Sequence, residues 1–323
     1  MRLLVTALLS LAIAAGCGAQ ASAPQPLGGH GLAAPVPARA PADGIPVYLP
    51  IILKPMPMVI VGAGDIADCS MPWTRATSDL VSAIPGTVIT LGDNAYDLGT
   101  PDEFNNCYNP TWGRFKNRTR PSPGNHDYVY PSAAGYFDYF GAAAGDPARG
   151  YYSFDLPGWH VVSLNANCSY IGGCQAGSAE EQWLRADLAA HPAACTLAYW
   201  HQPRYSSGPH GSDATYTAFW QALYDYHATL VLNGHDHDYE RFAPQDPNGT
   251  LDLARGIREF VVGTGGRHFS AFGPTRRPNS EASQAGIYGV IKLTLSNNSY
   301  QWDYLPVPGF NFHDTGDGAC RGA

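Results

Sequence analysis

Five places in this 323-residue chain put metal-ligating side chain types directly after a short run or turn. Met58–Val61 leads to Gly64-Asp65, Thr87–Leu91 to Gly92-Asp93-Asn94-Ala95-Tyr96, and a Pro-rich stretch to Gly124-Asn125-His126-Asp127. The run ending at Trp200 meets His201, and Thr229–Leu232 leads into Gly234-His235-Asp236-His237. Oxygen and imidazole donors together suit iron, zinc or manganese. Open α/β sheets collect such groups beyond the carboxyl ends of their strands. Taken singly the signals are weak, since a strand-end Asp is commonly a turn former and a lone His201 a satisfied structural histidine. Asn beside His after Gly is a rarer choice for a plain turn. Two imidazoles two residues apart on one loop are the most specific piece, and the ordered set carries the argument.

One pattern misleads. Gly62-x-Gly64-x-x-Ala67 after Met58–Val61 imitates a dinucleotide fingerprint. The acidic residue due about twenty positions later at a second strand end is missing, because Asp79 falls in a helical stretch. Asp65 inside the turn would also repel a pyrophosphate. The turn Gly263-Thr264-Gly265-Gly266 is explained equally by a plain β-turn and by approach to a site.

The set from Asp65 through Gly234-His235-Asp236-His237 resembles the calcineurin-like metallophosphoesterase superfamily, over roughly residues 58–266. That resemblance implies an α/β fold, a four-layer α/β/β/α sandwich of two mixed β-sheets in a single catalytic domain. The superfamily's first motif is Asp-x-His, whereas here the stretch reads Asp65-Ile66-Ala67. Tyr96, three residues after Asp93, stands where the purple acid phosphatases place a tyrosinate. Gly234-His235-Asp236-His237-Asp238-Tyr239-Glu240-Arg241 also resembles their GHxHxYER stretch. Plant and fungal members carry an extra N-terminal β-sandwich domain, for which this chain has no room, so it looks more like the small members.

The resemblance assigns one metal to Asp65, Asp93, Tyr96 and His237, and a second to Asp93, Asn125, His201 and His235, with Asp93 bridging. It implies Fe3+ at site one and Zn2+, Fe2+ or Mn2+ at site two. Two such cations roughly 3.5–4 Å apart activate water and clamp an in-line displacement. His126 and His210 are the catalytic candidates, although a loop histidine in solvent is the plain alternative for His210. The expected function is that of a broad-specificity phosphomonoesterase, acid phosphatase-like, with a metal-activated hydroxide as nucleophile. A phosphodiesterase or nucleotidase would share the same residues. A surface protein that had lost catalysis would lack a ligand, and all seven positions are filled.

The elements that must position these residues are short. Trp159–Leu164 joins the four runs above as a buried strand, and Thr74–Ala83, Ala179–Ala190 and Tyr216–Tyr226 read as helices. Ser178 and Glu181 have capping-box spacing. Glu259–Val262, Tyr288–Leu295 and Tyr300–Leu305 alternate as antiparallel strands do. One domain is expected over 56–323, preceded by an Ala/Pro-rich tether at 18–55.

Residues 1–17 read as a signal peptide, too short in its apolar run for the ~20 residues of a membrane span. Ala14-Ala15-Gly16-Cys17 resembles a lipobox. An exported cell-surface or periplasmic lipoprotein is expected, with membrane contact only through that anchor; an ordinary export signal cleaved near Ala19–Ala23, with Cys17 incidental, would instead give a secreted protein. A net charge of −8 argues against nucleic acid as a bulk partner, and small phosphorylated substrates are what the resemblance implies. The other cysteines, Cys69, Cys107, Cys168, Cys174, Cys195 and Cys320, are even in number and suggest disulfides, with Cys168 and Cys174 pairing locally. Mass spectrometry of the mature protein should find Cys17 lipidated at its N-terminus. An unmodified N-terminus beyond Cys17 would exclude the anchor.

Overall fold

Apolar side chains at consecutive positions mark strands covered on both faces, and the runs named above become the centre of two sheets. The structure, a computed structural model, describes residues 58–322. The signal peptide, Cys17 and the tether lie outside the described residues. Thirteen strands follow in chain order: β1 (Met58–Ala63), β2 (Thr87–Leu91), β3 (Thr119–Ser122), β4 (Tyr152–Leu156), β5 (Trp159–Ser163), β6 (Cys195–Tyr199) and β7 (Leu230–Asn233). Then come β8 (Tyr239–Phe242), β9 (Arg258–Val262), β10 (Ser280–Gln284), β11 (Gly289–Leu295), β12 (Ser299–Pro306) and β13 (Thr315–Ala319). One sheet has the order β13-β12-β11-β1-β2-β3 and the other β10-β8-β9-β7-β6-β5-β4. Both are mixed, since β1, β2 and β3 run parallel beside antiparallel β11, and β5, β6, β7 and β9 run parallel between antiparallel flanks.

Alternation along the strands separates two cores. Val161, Leu197, Leu230 and Phe260 join Ile60, Leu91 and Leu293 in the core shared by both sheets. Their neighbours Val162, Ala198, Val231 and Val261 pack with Leu184, Leu188, Phe219 and Trp220 of the helices Ala179–Ala190 and Thr217–Asp225. Helix Trp73–Ser82 packs on β11 of the first sheet. The layers are therefore helix, sheet, sheet and helix, as the resemblance implied.

Two expectations need correction, and four strands had no counterpart in the sequence reading. β9 is not simply antiparallel: it pairs parallel with β7 and antiparallel with β8. Strands β3, β4, β10 and β13 carried no clear sequence signal because each is a sheet edge. An edge needs no continuous apolar run, and β13 alternates exposed and half-buried residues. The capping box at Ser178 is only half made. Ser178 Oγ accepts from Glu181 N at 3.3 Å, while the Glu181 carboxylate turns to Gly177 N at 3.0 Å.

All six cysteines are paired among the described residues, as Cys69–Cys107, Cys168–Cys174 and Cys195–Cys320. Three disulfides fit an exported protein. Cys195–Cys320 ties the start of β6 in one sheet to the segment beyond β13 in the other. In the chain-entropy model a loop of that length contributes roughly 4–5 kcal/mol.

His160 on β5 carries a buried charge of its own. Its Nδ1 lies 2.7 Å from Asp155 Oδ1 and its Nε2 2.8 Å from Asp187 Oδ2, with the ring 1% exposed. A histidine facing a carboxylate at each nitrogen is an imidazolium. The His191 ring stacks parallel on it at 4.7 Å, and Ser153 Oγ donates to Asp187. His160, Asp187 and His191 lie close enough to suggest a metal site. Each His160 nitrogen, however, is aimed at a carboxylate oxygen, and parallel rings do not converge on one point, so a proton serves this cluster better than a cation. Burial opposes the charge, but the hydrogen bonds to Asp187 and Asp155 outweigh it and hold His160 above 6.5. The stabilisation is therefore complete below about pH 6.5 and is lost as pH rises through the elevated folded value. His160→Gln should cost roughly 1–3 kcal/mol near pH 6, and its deficit against wild type should narrow above neutrality in denaturant titrations. A deficit independent of pH would show that no charge is held there.

Candidate metal centre

The loops after β1, β2, β3, β6 and β7 meet where the two sheets approach one another. Backbone bonds lock them: Asp65 N donates to Gly92 O at 3.1 Å, Gly64 N to Val262 O at 2.9 Å and Gly234 N to His201 O at 2.9 Å. At Gly92, whose φ is +83°, a Cβ would fall 2.4 Å from His201 Nδ1, so only glycine lets the two sheets' loops touch. Asp65, Asp93 and His235 have φ of 59°, 49° and 71°. Left-handed backbone costs a non-glycine residue about 1–3 kcal/mol, and such strain collects at functional sites.

Side chains from those loops form one cluster, in which Asp65, Asp93, Tyr96 and His201 are buried and His235 and His237 half-buried. Tyr96 Oη lies 2.7 Å from Asp65 Oδ1 and 2.9 Å from Asp93 Oδ2. His201 Nε2 is 3.2 Å from Asp93 Oδ2, and His237 Nε2 is 3.2 Å from Asp65 Oδ1. His235 Nδ1 is 3.3 Å from His201 Nε2. Asp65, Asp93 and His201 each offer a ligand atom within 4.8 Å of the others. Ring orientations are set from outside, since Leu91 O takes His201 Nδ1 at 2.7 Å and His268 O takes His237 Nδ1 at 2.6 Å. A carbonyl can only accept, so both rings carry Nδ1–H and turn Nε2 inward.

Asn125 completes the set by position. Gly124 before it packs on Asp93, and His126 after it donates its backbone N–H to Asp93 Oδ1 at 2.8 Å. Its Oδ1 is buried without a hydrogen-bond partner. An amide oxygen left so costs about 1–3 kcal/mol, which a cation at that oxygen would remove. The donor chemistry and this orphaned acceptor both fit metal ions.

Charge within the cluster points the same way. Burial opposes ionisation of Asp93, yet the neighbouring His201 outweighs it and holds the carboxyl well below its usual range. In turn, burial disfavours a charged His201, but Asp93 and Asp65 overcome it and push its value up to about 9. His235 goes the other way, lowered to about 4 by burial and by His201 and His210. Burial, then Asp65 and Asp93, raise Tyr96 well above 10. Protons thus occupy the positions of positive charge that a metal ion would take over.

His126 and His210 stand at the margin of the cluster. His126 keeps Nδ1 on Asp97 O at 2.6 Å and brings Nε2 to 4.0 Å from Asp93 Oδ2, with its side chain 34% exposed. His210 lies with its ring 4.2 Å from that of His235 and its Nδ1 2.8 Å from Asp236 Oδ1. Other contributors were not singled out in the sequence. Asp127 accepts from Gly124 N, Asn94 N and Asn94 Nδ2 and so clamps the Gly124–His126 loop to that of Asp93. Arg267, just past the glycine turn, lies 4.6 Å over the Tyr96 ring and bridges Asp68 and Asp97. Asp127 was visible within its motif, whereas Arg267 carried no spacing signal. The turn itself reaches the site, for a Cβ on Gly263 would fall 2.8 Å from Asp65 Oδ2. Gly62 serves strand packing, since a Cβ there would meet Ile89 O at 2.2 Å, which explains the false dinucleotide pattern.

The model of the calcineurin-like phosphoesterase family matches residues 41–239, more than half of the chain. The chain belongs to that family. Within it, the chain is similar to purple acid phosphatase 15 of Arabidopsis thaliana, with 29% identity over 60% of the chain and 42% of the relative. Purple acid phosphatase 23 of the same plant is 30% identical over 60% of the chain and 49% of its own length. The chain thus spans less than half the length of these two relatives. An uncharacterised Mycobacterium tuberculosis protein is 29% identical over 48% of the chain and 38% of its own length. Among solved structures, the yellow lupin purple acid phosphatase PPD1 superposes with a TM-score of 0.66 at 17% identity, covering 82% of this chain and 54% of that one. GAP50, described as the anchor in the inner membrane complex of Plasmodium, gives 0.63 at 13% identity over 83% and 90%. These two likenesses establish the shared fold.

Gly124 offers a direct check on the cluster. A Cβ there would fall 2.1 Å from Asp93 Oδ1 and 2.2 Å from Asp93 N, where backbone cannot yield cheaply. Gly124→Ala should therefore destabilise the protein by roughly 1–3 kcal/mol and lower its metal content, read by thermal melts and metal analysis. A variant matching wild type in both would show that Asp93 is free to move.

Proposed function

We propose that the protein is a hydrolase of phosphate esters with two metal ions, acting as a broad-specificity phosphomonoesterase of the purple acid phosphatase-like branch. The observation that carries this reading is the cluster of buried Asp65, Asp93, Tyr96 and His201 with half-buried His235 and His237, beside the unpartnered oxygen of Asn125. Asp65, Asp93, Tyr96 and His237 would hold one ion, and Asp93, Asn125, His201 and His235 the other. When bound, two such ions activate water and neutralise phosphoryl oxygens. Fe3+ in the first position and Zn2+, Fe2+ or Mn2+ in the second suit these donors.

The chain's own residues supply the rest. Both Asp93 oxygens are already oriented, one by His126 N and the other by Tyr96 and His201. Neutral Asn125 limits the negative charge facing an anionic substrate. Because His126 Nδ1 must carry a proton to meet the Asp97 carbonyl, Nε2 is the nitrogen that exchanges a proton with a leaving-group oxygen. General acid help of that kind is worth about 10²–10⁴ in rate. The same proposal includes export of the protein on a lipid at Cys17, acting on small phosphorylated substrates outside the cytosol.

Protein reconstituted with iron, zinc or manganese should bind two ions per chain and hydrolyse p-nitrophenyl phosphate faster than bis(p-nitrophenyl) phosphate. Inactivity, or one ion per chain, would overturn the reading, and the reverse rate order would move it to the diesterases. Iron-loaded protein should also absorb in the visible through a tyrosinate, and Tyr96→Phe should abolish the band and loosen the first ion. An unchanged spectrum in that variant would remove Tyr96 from the ligand set.

A further inference from the structure

Between the two histidines of Gly234-His235-Asp236-His237 sits a carboxylate turned to a different task. Asp236 is fully buried, and the loop from Ser206 to Gly211 wraps around it. One oxygen accepts from Ser206 Oγ, which itself accepts Gly208 N at 2.9 Å. The other accepts His210 N at 3.0 Å and lies 2.8 Å from His210 Nδ1. A Cβ on Gly208 would fall 2.3 Å from the Asp236 carboxylate carbon, so glycine is what lets the loop close this tightly. One carboxylate therefore holds both the backbone and the ring of His210. That ring lies 4.2 Å from His235, with its side chain about half exposed.

We infer that Asp236 is a positioning residue, which fixes His210 with Nδ1–H on the carboxylate and Nε2 free above His235, facing the phosphoryl or leaving-group oxygen. A carboxylate can only accept here, so Nδ1 must carry the proton, as in other carboxylate–histidine pairs that set a tautomer. The order of the chain makes this economical. His235 and His237 turn toward the cluster, and the residue between them turns the other way to grip the next loop. What Nε2 meets rests on the phosphoesterase reading above, whereas the tautomer does not.

The test uses zinc-loaded protein with ¹⁵N-labelled histidine. Long-range ¹⁵N–¹H spectra should show His210 as the Nδ1–H form in wild type and in Asp236→Asn, and as a solvent-averaged mixture in Asp236→Ala. Turnover of p-nitrophenyl phosphate should fall about 10–100-fold in Asp236→Ala, with KM and zinc content little changed and most of the loss recovered in Asp236→Asn. The double variant with His210→Ala should be no slower than His210→Ala alone. An Nε2–H tautomer in wild type, loss of zinc in Asp236→Ala, or additive losses in the double variant would overturn the inference. If wild type hydrolyses no phosphate ester, the proposed function fails, and the tautomer spectra still decide the role of Asp236.

Discussion

Asp65 and Asp93 are buried side by side, and the rest of the site answers to that arrangement. Removing an ion from water costs several kcal/mol even after relaxation, and two like charges in one cluster cost more. Each carboxylate consequently receives a backbone N–H from another loop, Asp65 from His235 and Asp93 from His126. Positive charge must then come from imidazolium or from cations. Left-handed backbone at Asp65, Asp93 and His235 adds to the cost, and only a tightly bonded junction of loops from both sheets can hold it.

Orientation of the histidines is delegated to backbone carbonyls. His126, His201 and His237 each give Nδ1 to a different carbonyl, of Asp97, Leu91 and His268. A carbonyl fixes the tautomer without adding charge, so three rings present Nε2 while the charge balance of the cluster stays with its carboxylates. His235 instead brings Nδ1 inward, its backbone tied to Asp65, and His210 gives Nδ1 to the Asp236 carboxylate.

The cluster around His160 is an instructive contrast. It too combines histidines with carboxylates around a buried ring, but both His160 nitrogens are paired with carboxylates at hydrogen-bond distance, and Asp155 and His191 reach solvent. At the candidate metal centre Asn125 Oδ1 has no hydrogen-bond partner, and His235 and His201 turn ring nitrogens toward one another at 3.3 Å. Saturated pairs stabilise a fold, whereas unsatisfied convergent donors await a ligand.

Much of this was legible in the sequence because its signals were local. The apolar runs of β1, β2, β5, β6 and β7 are short and continuous since both faces are covered, and the helix Ala179–Ala190 matched its expected bounds. The Asp, Asn, Tyr and His residues stood out because ligand types recur directly after those runs. Edge strands such as β10 and β13 were not legible, because a half-exposed strand needs no apolar pattern and takes its pairing from its neighbour. Nor could spacing reveal that Cys195 pairs with Cys320, that Arg267 lies over Tyr96, or that Asp236 grips His210. The first two join segments of different sheets and the third joins loops that follow the neighbouring strands β6 and β7, so residue order named the chemistry and tertiary packing chose its partners.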